Sequence, residues 1–144
     1  MASRLEFKLH RDLPKQYFQI LKSYISERHF RVKYENEYSE LKRITAGVPQ
    51  GSVLGPILYL LYTRDIPNTE ATMATFADDT VILATAKNIT ESTSKLQEAT
   101  NLIFKWTKKW RIKLNEAKST CVNFTNLKVD HIPLMINSIV IPYK

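Results

Sequence analysis

Met73-Ala74-Thr75-Phe76-Ala77-Asp78-Asp79-Thr80-Val81-Ile82-Leu83-Ala84 holds two short apolar, partly β-branched runs with only an aspartate pair between them. Length and spacing predict an antiparallel hairpin, Met73–Ala77 against Thr80–Ala84, with both acids at its tip. Such a turn ordinarily takes Asn-Gly or Asp-Gly, because glycine accepts a positive φ. Two adjacent carboxylates are a less comfortable choice, repelling by about 4 kcal/mol at close approach near a protein surface. A divalent cation turns that repulsion into coordination, since Mg²⁺ prefers one or two carboxylates plus substrate phosphates. Phosphoryl transfer by two metals uses acids placed in this way. Taken alone, the segment reads more simply as a surface turn facing water.

A second segment changes the balance. The chain has three glycines, Gly47, Gly51 and Gly55, all within nine residues of Ala46-Gly47-Val48-Pro49-Gln50-Gly51-Ser52-Val53-Leu54-Gly55-Pro56. Gly47 and Gly51 flank Val48-Pro49-Gln50 just before a helix, so backbone there can approach a ligand closely, and a helix N-terminus favours phosphate. Ser52 can cap that helix, whose apolar stripe is Leu54, Ile57, Leu58 and Leu61. Pro56 falls in its first turn, where a missing N–H does no harm. Pro49 and Pro56 argue against a single helix packed through all three glycines, which leaves a plain connecting loop as the ordinary alternative.

Outward from these segments the pattern is mixed. Pro14 marks a helix start, with Tyr17, Ile20, Leu21, Tyr24 and Ile25 at helical spacing. Phe30–Tyr34 and Glu40–Thr45 read as strands joined through Glu35-Asn36-Glu37. Beyond the acidic hairpin a long helix is predicted from about Thr90, with Leu96, Ala99, Leu102, Ile103, Trp106 and Trp110 on one face. Thr120–Phe124 reads as a strand, and Pro133–Ile136 with Ile139–Ile141 as a last hairpin about Asn137-Ser138. The expected fold is α+β, an antiparallel sheet with helices packed on one face.

The 144 residues fit one domain, with no repeat, linker or low-complexity tract to divide it. The expected segments are a helix and hairpin over 13–45, a glycine loop and helix over 46–66, the acidic hairpin over 72–85, and a basic helix with final strands over 90–142. A net charge of +7 favours a polyanionic partner, nucleic acid or an anionic membrane surface. Lys105, Lys108, Lys109, Arg111, Lys113 and Lys118 fall within fourteen residues opposed only by Glu116. That run also reads as a solvated helix face, and Trp106 and Trp110 within it as core rather than base-stacking platforms. Cys121 is the single cysteine, which excludes a disulfide framework or a cysteine-rich metal site. His10, His29 and His131 lack ligand spacing. No apolar run reaches bilayer length, and Met1-Ala2-Ser3-Arg4 shows no leader pattern. An intracellular, reducing compartment is expected.

Together, Ala46–Pro56, Phe76-Ala77-Asp78-Asp79 about twenty residues on, and Trp110-Arg111-Ile112-Lys113-Leu114-Asn115-Glu116-Ala117-Lys118-Ser119 strongly resemble the reverse transcriptases of non-LTR retrotransposons, in particular jockey-like insect elements. The resemblance runs from about Leu5 to the end. It implies part of a polymerase palm using Mg²⁺, an RNA template, a DNA primer and deoxynucleoside triphosphates. It makes Asp78 and Asp79 metal-binding and catalytic, Asp78 the firmer ligand. Ala77 would admit the primer end, and Pro49, Gln50 and Gly51 would line the nucleotide and template site. Lys118 would donate a proton to pyrophosphate; the basic run itself, not the resemblance, makes Lys105, Lys108 and Lys109 candidates for contact with nucleic-acid backbone. The family's earlier aspartate, in an Ala-Phe-Asp-like strand, has no match here. The expectation is therefore the middle of a polymerase with an incomplete metal site, inactive alone. A retrotransposon remnant acting as a nucleic-acid-binding or interaction module is the alternative.

Overall fold

The computed structural model describes residues 4–45, 47–126 and 130–144. Two compact units divide the chain, residues 1–65 and 66–144. The described residues form four α-helices, a short 3₁₀ turn and four separate two-stranded antiparallel ladders. The fold class is thus α+β, but the strands form no continuous sheet of the expected kind.

In the first unit, α1 (Arg4–Asp12) packs against both α2 (Lys15–Ile25) and α3 (Leu54–Thr63). No helix is predicted over α1, because its inward stripe is interrupted by a charge. Lys8 and Leu9 are both buried, Lys8 to 1% exposure. The Lys8 ammonium reaches the Tyr62 carbonyl at the end of α3 and the Asp65 carboxylate, which supply the polar partners its burial demands. Around that pair, Arg11 Nε and Nη2 donate to Asp12 at 2.6 and 2.8 Å, and Arg64 lies 3.3 Å from Asp12. The α2 stripe is covered only in part. Leu21, Tyr24 and Ile25 are half-buried, while Tyr17 and Ile20 remain exposed.

The expected hairpin after α2 is an interrupted ribbon of four two-residue strands: β1 (His29–Phe30), β2 (Lys33–Tyr34), β3 (Glu37–Tyr38) and β4 (Lys42–Arg43). β2 turns into β3 through Glu35-Asn36, with Glu35 at φ 50°. Two residues separate β1 from β2 but three separate β3 from β4, so the return strand carries a bulge. The Ser39 N–H donates to the Val32 carbonyl at 2.9 Å, and Ser39 Oγ accepts from the Val32 N–H at 2.8 Å, carrying the ladder across it.

The second unit holds the hairpin β5 (Thr72–Phe76) and β6 (Asp79–Leu83), then α4 (Ile89–Trp110) and the hairpin β7 (Leu134–Ile136) and β8 (Ile139–Ile141). Asn88 caps α4, accepting from the Glu91 N–H at 2.8 Å, so the helix starts one residue before Thr90. Ala99, Thr100, Ile103, Thr107 and Trp110 are buried along it; Leu102, expected in that stripe, is exposed. Asn137 and Ser138 both take positive φ, 52° and 63°, which the β7–β8 turn demands. Thr120–Phe124 is not a strand. Only Cys121 pairs there, bridging to Tyr143, because Cys121 joins Leu134 and Ile141 in the core while Val122 and Phe124 face outward.

Candidate catalytic hairpin and glycine loop

β5 and β6 pair in the register Phe76↔Asp79, Thr75↔Thr80, Ala74↔Val81, Met73↔Ile82 and Thr72↔Leu83. The two-residue loop is therefore Ala77-Asp78, not Asp78-Asp79, and Asp79 opens β6. One residue must take a positive φ, and Ala77 does so at 50°. The tip is thus built from the small residue and one acid, while the ladder fixes the other. Paired residues share a face, so Asp79 stands on the face of Phe76, Ala74, Val81, Thr72 and Leu83, all exposed. Met73 and Ile82, on the opposite face, are half-buried, and β6 lies beside α4. Asp78 and Asp79 are both exposed at one end of the hairpin.

The glycine loop belongs to the first unit. Gly47 and Gly51 take φ 83° and 76°, with open space where a Cβ would stand, so backbone conformation rather than crowding calls for glycine there. Ala46 lies outside the described residues. Ser52 Oγ donates to the Pro49 carbonyl at 2.8 Å and accepts from the Gly55 N–H at 3.0 Å. It therefore does the capping expected of it, although the helix proper begins after Val53. A Cβ on Gly55 would stand 3.2 Å from Ser52 Oγ and 3.4 Å from the Pro49 oxygen, so this glycine lets the loop fold onto the first turn of α3. Gln50 and Gly51 are exposed and Pro49 half-buried. The Arg28 guanidinium binds the Gly47 carbonyl and, at 3.2 Å, that of Ile25, tying the base of the ribbon to the loop.

Lys105, Lys108 and Lys109 are exposed on α4, at three- and four-residue spacing that gives them one face. Lys108 lies 4.6 Å from the Phe104 ring and Lys109 5.3 Å from the Trp110 ring. Trp110 is buried and Trp106 half-buried, as the core reading of both requires. Lys118 is exposed at the end of a short 3₁₀ turn, Glu116–Lys118, next to β8.

Asp78 and Asp79 offer hard oxygen donors, the type suited to Mg²⁺ rather than to a soft metal. Among the described residues no three His, Cys, Asp or Glu side chains gather closely enough to share an ion. The acidic pair thus fits part of a divalent-metal donor set. No helix among the described residues is long and apolar enough to cross a membrane.

The chain is thus α+β, with an exposed aspartate pair at one end of a hairpin and a glycine loop opening a helix. Residues 2–132 match the family model of reverse transcriptase (RNA-dependent DNA polymerase), and the chain belongs to that family. It is 35% identical over 144 residues to the probable RNA-directed DNA polymerase from transposon X-element of Drosophila melanogaster, covering 96% of this chain and 16% of that protein. To the RNA-directed DNA polymerase from mobile element jockey it is 38% identical in Drosophila melanogaster and 40% in Drosophila funebris, each over 131 residues, 85% of this chain and 14% of the relative. The chain therefore spans about a sixth or less of the length of these relatives. No solved structure matches it with significance.

Proposed function

We propose that this chain forms the central part of the palm of a non-LTR retrotransposon RNA-directed DNA polymerase, which extends a DNA primer on an RNA template. The observation that carries this reading is the Ala77-Asp78 turn with Asp79 beside it, in a chain of the reverse transcriptase family. Asp78 and Asp79 would hold Mg²⁺, which when bound activates the primer hydroxyl and stabilises the departing pyrophosphate. Asp78, in the turn, is the firmer ligand. Ala77 keeps the tip small beside the primer end. Pro49, Gln50 and Gly51 line the nucleotide and template side, where the Cβ-free backbone of Gly51 permits close approach. Lys118 Nζ would donate a proton to the leaving pyrophosphate.

The pair supplies only part of a two-metal site, so a further carboxylate has to come from another part of the polymerase. The isolated chain, given primed RNA, deoxynucleotides and Mg²⁺, is expected to show no template-dependent incorporation. Robust incorporation would refute that dependence. In a polymerase containing this segment, Asp78→Asn should lower kcat at least about a hundredfold, a loss of roughly 3 kcal/mol of transition-state stabilisation. Retention of activity within a few-fold would remove Asp78 from the metal site.

A second reading, a retrotransposon remnant that binds nucleic acid without catalysis, is favoured by the exposed lysine face of α4. It predicts salt-sensitive, sequence-independent binding to single strands or RNA–DNA hybrids, weakened by neutralising Lys105, Lys108 and Lys109. Binding that ignores both salt and those substitutions counts against it.

A further inference from the structure

The ribbon β1–β4 separates its charges by face. Cross-strand partners share a face and successive residues alternate. The register therefore sets His29, Arg43, Lys33 and Tyr38 on one side and Phe30, Lys42, Tyr34 and Glu37 on the other. Arg31 belongs to the first side, since its guanidinium lies 4.1 Å from the Tyr38 ring centroid, with Lys33 Nζ 5.7 Å from the same ring. Of the ribbon's carboxylates, Glu37 is on the opposite face and Glu35 in the turn; Glu40, in the bulge, falls opposite Arg31 on the cationic side but forms no ion pair with it. Arg31, Lys33 and Arg43 are exposed, and among the described residues none of them forms an ion pair with a carboxylate.

Like charges set side by side on a strand repel, and among the described residues no ion pair to a carboxylate offsets the repulsion here. A polyanion laid along the ribbon would. Alternate residues on one face recur about every 6.6 Å, comparable to the interval between phosphates along an extended strand. Tyr38 already has two cations over its ring, so it braces the cationic row instead of offering a free stacking surface. The ribbon leads to the glycine loop: the Ile44 N–H donates to the Arg28 carbonyl at 2.8 Å, and Arg28 binds the Gly47 carbonyl.

We propose that the Arg31, Lys33 and Arg43 face of the ribbon binds the sugar-phosphate backbone of a single-stranded RNA, the template, and leads it toward the glycine loop. The identity of that strand rests on the polymerase reading; the cationic face itself does not. The test is binding of a fluorescent single-stranded RNA oligonucleotide to the full chain across a salt series. Neutralising all three cations (Arg31→Gln, Lys33→Gln, Arg43→Gln) should weaken binding at least about tenfold near 0.1 M salt. It should also lower the log–log salt slope by about 2, at roughly 0.7 per phosphate contact on a single strand. Removing the same charge elsewhere (Lys15→Gln, Lys87→Gln, Lys144→Gln) should cost less than about threefold. A charge-preserving pair, Arg31→Lys with Arg43→Lys, should bind within about threefold of the unsubstituted chain, with unchanged circular dichroism. The proposal is overturned, with the polymerase reading left standing, if RNA binds the neutralised ribbon as well as it binds the control variant. Single-stranded DNA bound more tightly than RNA, and lost on the same substitutions, overturns the assignment to template. Absence of RNA binding by the unsubstituted chain at low salt overturns this proposal and counts against the polymerase reading as well.

Discussion

Ala77 occupies a backbone conformation that suits glycine or asparagine, with φ at 50° in the turn between β5 and β6. An L-residue there costs about 1–2 kcal/mol, which the ladder on either side has to sustain. Ala77→Gly is therefore expected to leave stability unchanged or raise it by up to about 1 kcal/mol, while Ala77→Val lowers it by at least that much. Urea midpoints of the three proteins check the order. If the proposed contact with the primer end is correct, Ala77→Val should also depress activity in a polymerase containing this segment more than its stability loss explains. The sequence shows the hairpin but misplaces its tip by one residue. An Asp-Asp pair between two apolar runs looks like the whole loop, whereas the Phe76↔Asp79 pairing takes one acid into the strand. Lys8 hides a different kind of information. Its position facing α3 cannot be read from a pattern that counts lysine as outward-facing.

At the scale of elements, the end of α1 is held to the end of α3 by charges. Burial pulls the Lys8 ammonium below the ordinary lysine range, against the hydrogen bond it donates to Asp65. Hydrogen bonds from Arg11 hold the Asp12 carboxyl below its usual 3.8. Because folded Asp12 releases its proton more readily than unfolded Asp12, its contribution is present in full above the unfolded value. It is lost as pH falls through the folded one. Asp12→Asn should accordingly lower the denaturation midpoint at neutral pH, and its gap from the unsubstituted chain should close as pH drops below about 3.8. In the second unit, the Gln97 side-chain amide meets Met135 on its backbone, donating to the carbonyl and accepting from the N–H, both at 2.9 Å. It closes the outer edge of β7 as a neighbouring strand would. Gln97→Ala should cost about 1 kcal/mol and speed hydrogen exchange at the Met135 amide; unchanged exchange there would show the clamp to be idle. The long helix was legible from its period and the last hairpin from its turn residues. Gln97 was not, since a glutamine on a helix gives no sign of which backbone it will meet.

For the whole molecule, the family was legible because three ordered segments carry chemistry that few other folds require together. The continuous sheet was not found, because alternation specifies which face a strand turns inward but not which strand lies beside it. Many apolar side chains stay in the open, Val53 at 86%, Phe76 at 84% and Phe124 at 87% exposure among them. Phe76, Val81 and Leu83 share one hairpin face, and contiguous exposed apolar surface promotes association. Native chain should bind the dye ANS and self-associate at micromolar concentration, and Phe76→Ser with Val81→Thr and Leu83→Thr should reduce both. Dye binding and sedimentation equal to the parent would locate the sticky surface elsewhere.

The closure of the acidic hairpin in only two residues bears on how such a segment can change over generations. Surface loop tips ordinarily absorb insertions and deletions with little penalty. Here a lost codon between Phe76 and Asp79, or an added one drawn into the ladder instead of a longer loop, would shift the phase of everything that follows in β6. Asp79, Val81 and Leu83 would exchange sides with Thr80 and Ile82. The tip is open to substitution, but length changes are tolerated only where the loop alone absorbs them and the Phe76↔Asp79 pairing is kept, so drift in this hairpin should proceed mainly by replacement.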